Sequence, residues 1–186
     1  MIINYVNSTC WRRAMSVVII IPRRVAEHAR REAEKKGMTL EEYIIELLSH
    51  NLDPMDKAIE YVEAAQELLR EAVEELGKGN LRQASEKLWG ATALTVKAYA
   101  LHRDGKQLRS HGELWEYKDK LVIELGEWVY DAWMAANGMH TCFYEGWCSA
   151  RDVEIAIKHI EKLVNAVKET MNKTRHSTSS RNQGTS

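Results

Sequence analysis

Apolar residues recur at helical spacing over most of the chain, from residue 55 onward. The stretch 56–76 carries Ile59, Val62, Leu69, Val73 and Leu76 on one side, and the glycines at 77 and 79 end it. Asn80 is placed to cap a second helix that runs to about Arg103. Its inner face reads Ala84, Leu88, Ala91, Thr95 and Ala98, small enough to let a neighbouring helix come close. A polar loop, 104–109, follows. Ser110-His111-Gly112-Glu113 forms a capping box and predicts a helix to about Ala136, bent near Gly126. Residues 137–148 then read as an aromatic, Cys- and His-rich connection. Ser149 and Asp152 open a last helix, striped by Val153, Ile157, Ile160, Val164, Val167 and Met171. Four long helices with short loops predict an up-down four-helix bundle over 55–171.

The front of the chain has a different rhythm. β-Branched residues crowd 16–21 and predict a strand, which Pro22 ends. Residues 23–36 read as a helix with Val25, Ala29 and Ala33 on one stripe, closed by Gly37. Thr39-Leu40-Glu41-Glu42 is another capping box and opens a helix to about Ser49, with Pro54 beyond. A strand and two helices of this size cannot bury a core alone, and a lone strand leaves two open edges. Two chains that pair their strands would solve both problems. The stretch 16–51 thus resembles the ribbon-helix-helix family, through Val17, Ile19 and Ile21, then Pro22, then Gly37-Met38-Thr39 between helices. The resemblance implies an obligate homodimer and a β-α-α module over 15–54. It also implies a DNA-facing set, namely Ser16, Val18 and Ile20 on the strand, with Met38 and Thr39 near a phosphate. Val and Ile offer a base edge no donor or acceptor. The module carries six basic and seven acidic residues. Dimerisation is therefore favoured over DNA binding.

Composition narrows the picture. The net charge of -1 excludes a globally basic nucleic-acid binder. The bundle carries 15 basic against 20 acidic residues and repels polyanions as a whole. The longest apolar run, 17–21, is too short for a membrane span or a signal h-region, so no membrane partner and a cytoplasmic location are expected. Three cysteines fit a reducing interior. Residues 1–14 show no period and are expected to be either an unstructured tail or a mis-called start before Met15. Residues 172–186 are polar, carry Lys173, Arg175 and Arg181 without an acid, and are expected to be a disordered, solvated tail.

Several segments of the bundle carry a second resemblance. Gly79 through Ala91 (GNLRQASEKLWGA), Val96-Lys97-Ala98-Tyr99, Ser110 through Trp115 (SHGELW) and Cys142-Phe143-Tyr144-Glu145-Gly146 look like the archaeal PaREP family. That family is similar in turn to HEPN helical domains, found in nucleotide-binding proteins and in toxin ribonucleases. The resemblance implies a HEPN-like bundle and a nucleic-acid or nucleotide connection, without assigning a reaction. HEPN ribonucleases carry an Arg with a His about four to six residues later. Here Arg103 with His111, and Arg151 with His159, have seven residues between them. Arg23 and His28 fit the spacing but lie in the front module. The signature is absent from the bundle in its usual form.

Candidate chemistry then rests on single residues. His111 sits in the first turn of a helix, whose dipole lowers an imidazole's pKa, and with Glu113 it is the weak catalytic candidate. Lys87, Trp89, Lys97, Ser110, His111, Trp115, Tyr144 and Glu145 are the pocket candidates. Glu145, amid aromatics, is expected to pair with Lys87 or Lys97. His140, Cys142 and Cys148 suggest zinc, but a structural site needs a fourth ligand. Buried thiols are the favoured reading, and no metal or cofactor is expected. No glycine-rich phosphate loop follows a strand. The expectation is a mainly helical homodimer that acts as a non-enzymatic binding or regulatory protein related to toxin–antitoxin-like systems. A nucleotide, a nucleic acid or a protein partner is its ligand. The alternatives are a HEPN-type enzyme processing RNA or a nucleotide through His111, and a purely structural dimer.

Overall fold

In the computed structural model, residues 20–181 are described, with side chains through residue 173. Among them are seven helices: α1 (Arg23–Lys35), α2 (Leu40–Leu48), α3 (Pro54–Gly77), α4 (Leu81–Asp104), α5 (His111–Leu125), α6 (Trp128–Glu145) and α7 (Ala150–Arg181). No helix among the described residues is long and apolar enough to cross a membrane.

The core is organised around α4. Every residue from Leu88 to Leu101 is buried, and the helix touches α2, α3, α5, α6 and α7. A helix covered on all sides must satisfy its polar groups internally. Ser85, Thr92 and Thr95 do so by donating to the carbonyls of Leu81, Leu88 and Ala91. Close packing comes from small residues. Ala58, Ala65 and Ala72 recur every seven positions on α3 and are fully buried beside α4. Gly90 is needed where α4, α3 and the start of α2 converge: a Cβ there would lie 3.1 Å from Leu68 Cδ1 and 3.4 Å from Thr39 Oγ1.

The bundle has five helices, not the expected four. The helix expected to reach Ala136 with a bend near Gly126 is two, because Gly126 adopts φ +110° between α5 and α6, and a Cβ at Gly126 would meet the Trp128 ring at 3.2 Å. The stretch expected as a 137–148 connection is helical as far as Glu145. Its buried stripe of Val129, Ala132, Trp133, Ala136, Met139 and Cys142 continues through the residues that looked irregular. Gly146, in the left-handed region, ends it. Cys142 and Cys148 form a disulfide across this turn, beside Ser85, rather than the expected pair of buried thiols.

The expected strand and ribbon-helix-helix module are corrected as well. Residues 16–19 lie outside the described residues, Ile20 and Ile21 are in no strand, and no strand occurs among the described residues. Instead α1 and α2 form a helical hairpin through Gly37 (φ +65°), and α2 seats on the bundle. The physical reason lies in α2's glutamates. Glu42 Oε1 is 2.8 Å from Lys97 Nζ, with side chains 1% and 3% exposed. Glu46 takes a charge contact from Lys57 at 3.1 Å and accepts hydrogen bonds from the Tyr61 hydroxyl and Gln107. Glu41 lies 2.6 Å from Lys87, which also holds Glu71 at 2.8 Å. A surface that expects three lysines of the bundle to be neutralised is satisfied within one chain.

Both expected capping boxes form. Thr39 accepts from the Glu42 amide while Glu42 Oε2 accepts from the Thr39 amide, and Ser110 and Glu113 repeat the pattern on α5. Glu42 is thus shared: one oxygen closes the cap, the other makes an ion pair with Lys97 rather than an aligned hydrogen bond. Breaking a buried ion pair on one side leaves an uncompensated charge. The Lys97→Met variant should lose about 3 kcal/mol of stability by urea denaturation, and Lys97→Met with Glu42→Gln should recover most of it. A double variant no more stable than the single one would refute this account.

Candidate functional site

Two i,i+4 pairs and one tryptophan bring the aromatic residues of three helices together. On α5, Trp115 Nε1 donates to His111 Nε2 at 2.8 Å. On α6, the His140 and Tyr144 rings meet edge to face at 5.3 Å. From α4, Trp89 stacks on His111 at 5.0 Å, tilts against His140 at 4.5 Å and meets Trp133 edge-on at 5.6 Å. The two imidazoles are 5.5 Å apart. The α1–α2 turn covers the cluster, since a Cβ on Gly37 would lie 3.9 Å from His111 Cβ.

Beside the cluster is a cavity of about 80 Å³. Met38, Thr39 and Leu40 form its wall on the hairpin, and Trp89, His140, Phe143 and Tyr144 its aromatic wall. Arg30, Glu34 and Glu86 supply its charged groups. Trp89 is 1% exposed, and its indole N–H has no hydrogen-bond partner among the described residues. Such a donor costs about 1–3 kcal/mol to leave unmade.

The electrostatics are those of a site that avoids charge. Burial, reinforced by neighbouring His111, pushes His140 down to about 4. Burial also lowers His111, against the pull of the Glu42 carboxylate. Since His111 Nε2 accepts from Trp115, its ring is neutral with the proton on Nδ1. Glu86 is raised by burial and by the charge of Glu41, and Tyr144 by burial and the carboxylates of Glu34 and Glu86.

Of the residues singled out by sequence, Trp89, His111, Trp115, Tyr144, Met38 and Thr39 converge here, joined by His140. The others are occupied elsewhere. Lys87 and Lys97 hold glutamates of α2 and α3, so neither pairs with Glu145, which is exposed. Ser110 and Glu113 close the α5 cap. Glu113 is held low by the amides of Arg109 and Ser110, which commits its carboxylate to the backbone. Cys142 and Cys148 are bonded to each other, and no cluster of three or more metal-ligating side chains occurs among the described residues. Ser16 and Val18 lie outside the described residues, and Ile20 is 93% exposed. Arg30, Glu86, Phe143 and the place of His140 in the cavity wall were not anticipated. A helical reading of 137–145 would have put His140 and Tyr144 on one face.

A family model described as the archaeal PaREP1/PaREP8 family matches residues 60–164. No curated protein and no solved structure matches the chain. The matched span covers Trp89, His111, Trp115, His140 and Tyr144, whereas the hairpin that closes the cavity lies before it.

The low value of His140 sets a pH dependence. The unfolded chain takes up a proton near pH 6.5 that folded His140 resists down to about pH 4. Stability is therefore full above pH 6.5 and falls as pH drops through that window. His111 and His102 act in the same sense, and Glu86 opposes them. Carboxylates held low, such as Glu46, withdraw stability only below their ordinary 4.5. His140→Gln should remove about 1–2 kcal/mol of the loss between pH 7 and 5, the half-buried ring being partly screened. An unchanged slope in that variant, followed by denaturation midpoints, would sink the assignment.

Proposed function

The chain belongs to the archaeal PaREP1/PaREP8 family, and we propose that it is a non-enzymatic, dimeric binding protein that holds a nucleotide by its base in the Trp89–His140 cavity. The observation that carries this reading is the aromatic wall of Trp89, His140, Phe143 and Tyr144 on a cavity that also holds one guanidinium and two carboxyls. A nucleobase is flat, so it can stack on Tyr144, Phe143 or His140, and it presents ring nitrogens and carbonyls that accept from an N–H. Glu86 can accept from an exocyclic amine, or donate when protonated. Arg30 is the cation at hand for a phosphate. With two carboxyls against one guanidinium, the cavity favours a ligand of low charge over a polyphosphate.

The HEPN-like character read from the sequence stands within this proposal on its nucleotide-binding side. An RNA-cleaving enzyme needs a general acid near neutrality. His111, the catalytic candidate, is poorly suited to that role because burial lowers it and its Nε2 accepts from the Trp115 indole. Glu113, the other candidate, is committed to a helix cap. Support for the dimer comes from apolar residues that the hairpin leaves open, with Leu48 80% and Leu47 54% exposed on α2 and Val25 53% exposed on α1. A cytoplasmic location also belongs to the proposal. The Cys142–Cys148 disulfide is compatible with it, since intracellular disulfides are common in heat-loving archaea.

The test is titration of the full chain with the four ribonucleoside monophosphates, followed by tryptophan fluorescence and calorimetry. At least one should bind saturably, and Tyr144→Ala should weaken it by roughly ten-fold, the worth of one stacked base. Absence of saturable binding by all four, or equal binding by the variant, would overturn the reading. Turnover of a bound nucleotide that disappears in His111→Ala would favour the enzyme instead. Equilibrium sedimentation as a monomer would remove the dimer.

A further inference from the structure

A second cavity, of about 720 Å³, opens between α2 and α3, on helices that also carry the ion pairs but away from the aromatic cluster. Its floor is apolar, formed by Ile44 and Ile45 of α2 and Ala64 and Leu68 of α3. Its rim is a row of carboxylates, with Arg70 and Lys168 as the cations among them. Glu60, Glu63, Glu67 and Glu71 follow one another at spacings of three, four and four along α3, so they form one stripe of about 16 Å at 1.5 Å per residue. Like charges at this spacing repel and destabilise a helix by a few tenths of a kcal/mol per pair.

The fold neutralises only part of this stripe. Lys87 takes Glu71 together with Glu41, Arg70 takes Glu67 at 2.7 Å, and Lys168 binds Gln66. Among the described residues, Glu60 and Glu63 form no ion pair, although they border the apolar floor. We infer that this groove docks a basic amphipathic helix of a protein partner, its apolar residues at i, i+3, i+4 and i+7 on Ile44, Ile45, Ala64 and Leu68, and its lysines or arginines on Glu60 and Glu63.

Charge selects this occupant over the other large ligands. A nucleic acid or an anionic membrane surface brings phosphates against the glutamate row and is repelled. A small anion meets the same barrier. A neutral apolar segment fills the floor but leaves the rim uncompensated. A cationic helix satisfies both: it covers the apolar floor and meets the rim at the pitch of α3 itself, because two helices share the same turn spacing. The inference is independent of the nucleotide reading, since the two cavities share no lining residue.

The experiment uses the full chain and a designed helical peptide with leucines at i, i+3, i+4 and i+7 and lysines on both flanks. A peptide of the same composition in scrambled order, without an apolar stripe, is the control. Calorimetry at rising salt should show binding of the patterned peptide that weakens as salt increases. Glu60→Lys with Glu63→Lys should weaken it at least roughly ten-fold, since reversed rim charges cost affinity. The same reversal at exposed Glu127 and Glu154 should leave it unchanged, with circular dichroism confirming the fold of each variant. No binding of the patterned peptide overturns the inference. So does equal binding of the scrambled one, or indifference to the reversal at Glu60 and Glu63. Amide-exchange protection confined to elements other than α2, α3 and the Lys168 end of α7 would also overturn it.

Discussion

A lysine and a glutamate buried against each other, Lys97 and Glu42, are the constraint around which the rest is arranged. Neither charge can stay in the interior alone, because removing an ion from water costs several kcal/mol even after relaxation. Lys97 lies in the stretch of α4 that is covered on every side, so its countercharge must come from another element. That element is α2. Once Glu42 is committed, the start of α2 is fixed, because the same carboxylate closes the cap on Thr39. Thr39 then lies over Gly90, and the turn at Gly37 lies over His111. The ion pair, the cap, the glycine on α4 and the roof of the aromatic cavity are one mechanical unit.

Local features of this unit can be read from the chain; its long-range partners cannot. The capping boxes at Thr39 and Ser110, the turn at Gly37 and the stripe of α7 each depend on residues within a few positions of one another. Lys97 was visible as a lysine between Val96 and Ala98, but its partner is 55 positions earlier. The front segment illustrates the same limit. β-Branched residues at 17–21 satisfy a local preference for strand, yet a strand needs a partner, and α2 instead found one in the bundle. At Gly126 the sequence suggested a bend, and the backbone made a full break. In 137–145 the aromatic, Cys- and His-rich composition argued for a connection, while burial of Met139 and Cys142 prolonged the helix.

The candidate site follows the same division. His111, Trp89, Trp115 and Tyr144 were recognisable as residue types that bind. Their convergence depends on three helices meeting at α4. What the cluster lacks is as informative as what it contains. The lysines that sequence placed in the pocket are spent on holding α2, and the carboxylate beside His111 is spent on a helix cap. What remains is a flat aromatic wall with one guanidinium and two carboxyls beside it.

The hairpin that roofs this cavity is fastened chiefly by ion pairs, whereas the bundle beneath it is held by apolar packing. These two kinds of contact respond differently to heat. The hydration that favours separated ions weakens as temperature rises, while the gain per unit of buried apolar surface levels off. Warming therefore tightens the roof relative to the body it covers. The cavity's closure thus rests on contacts that lose less on warming than a lid held by hydrophobic contact alone.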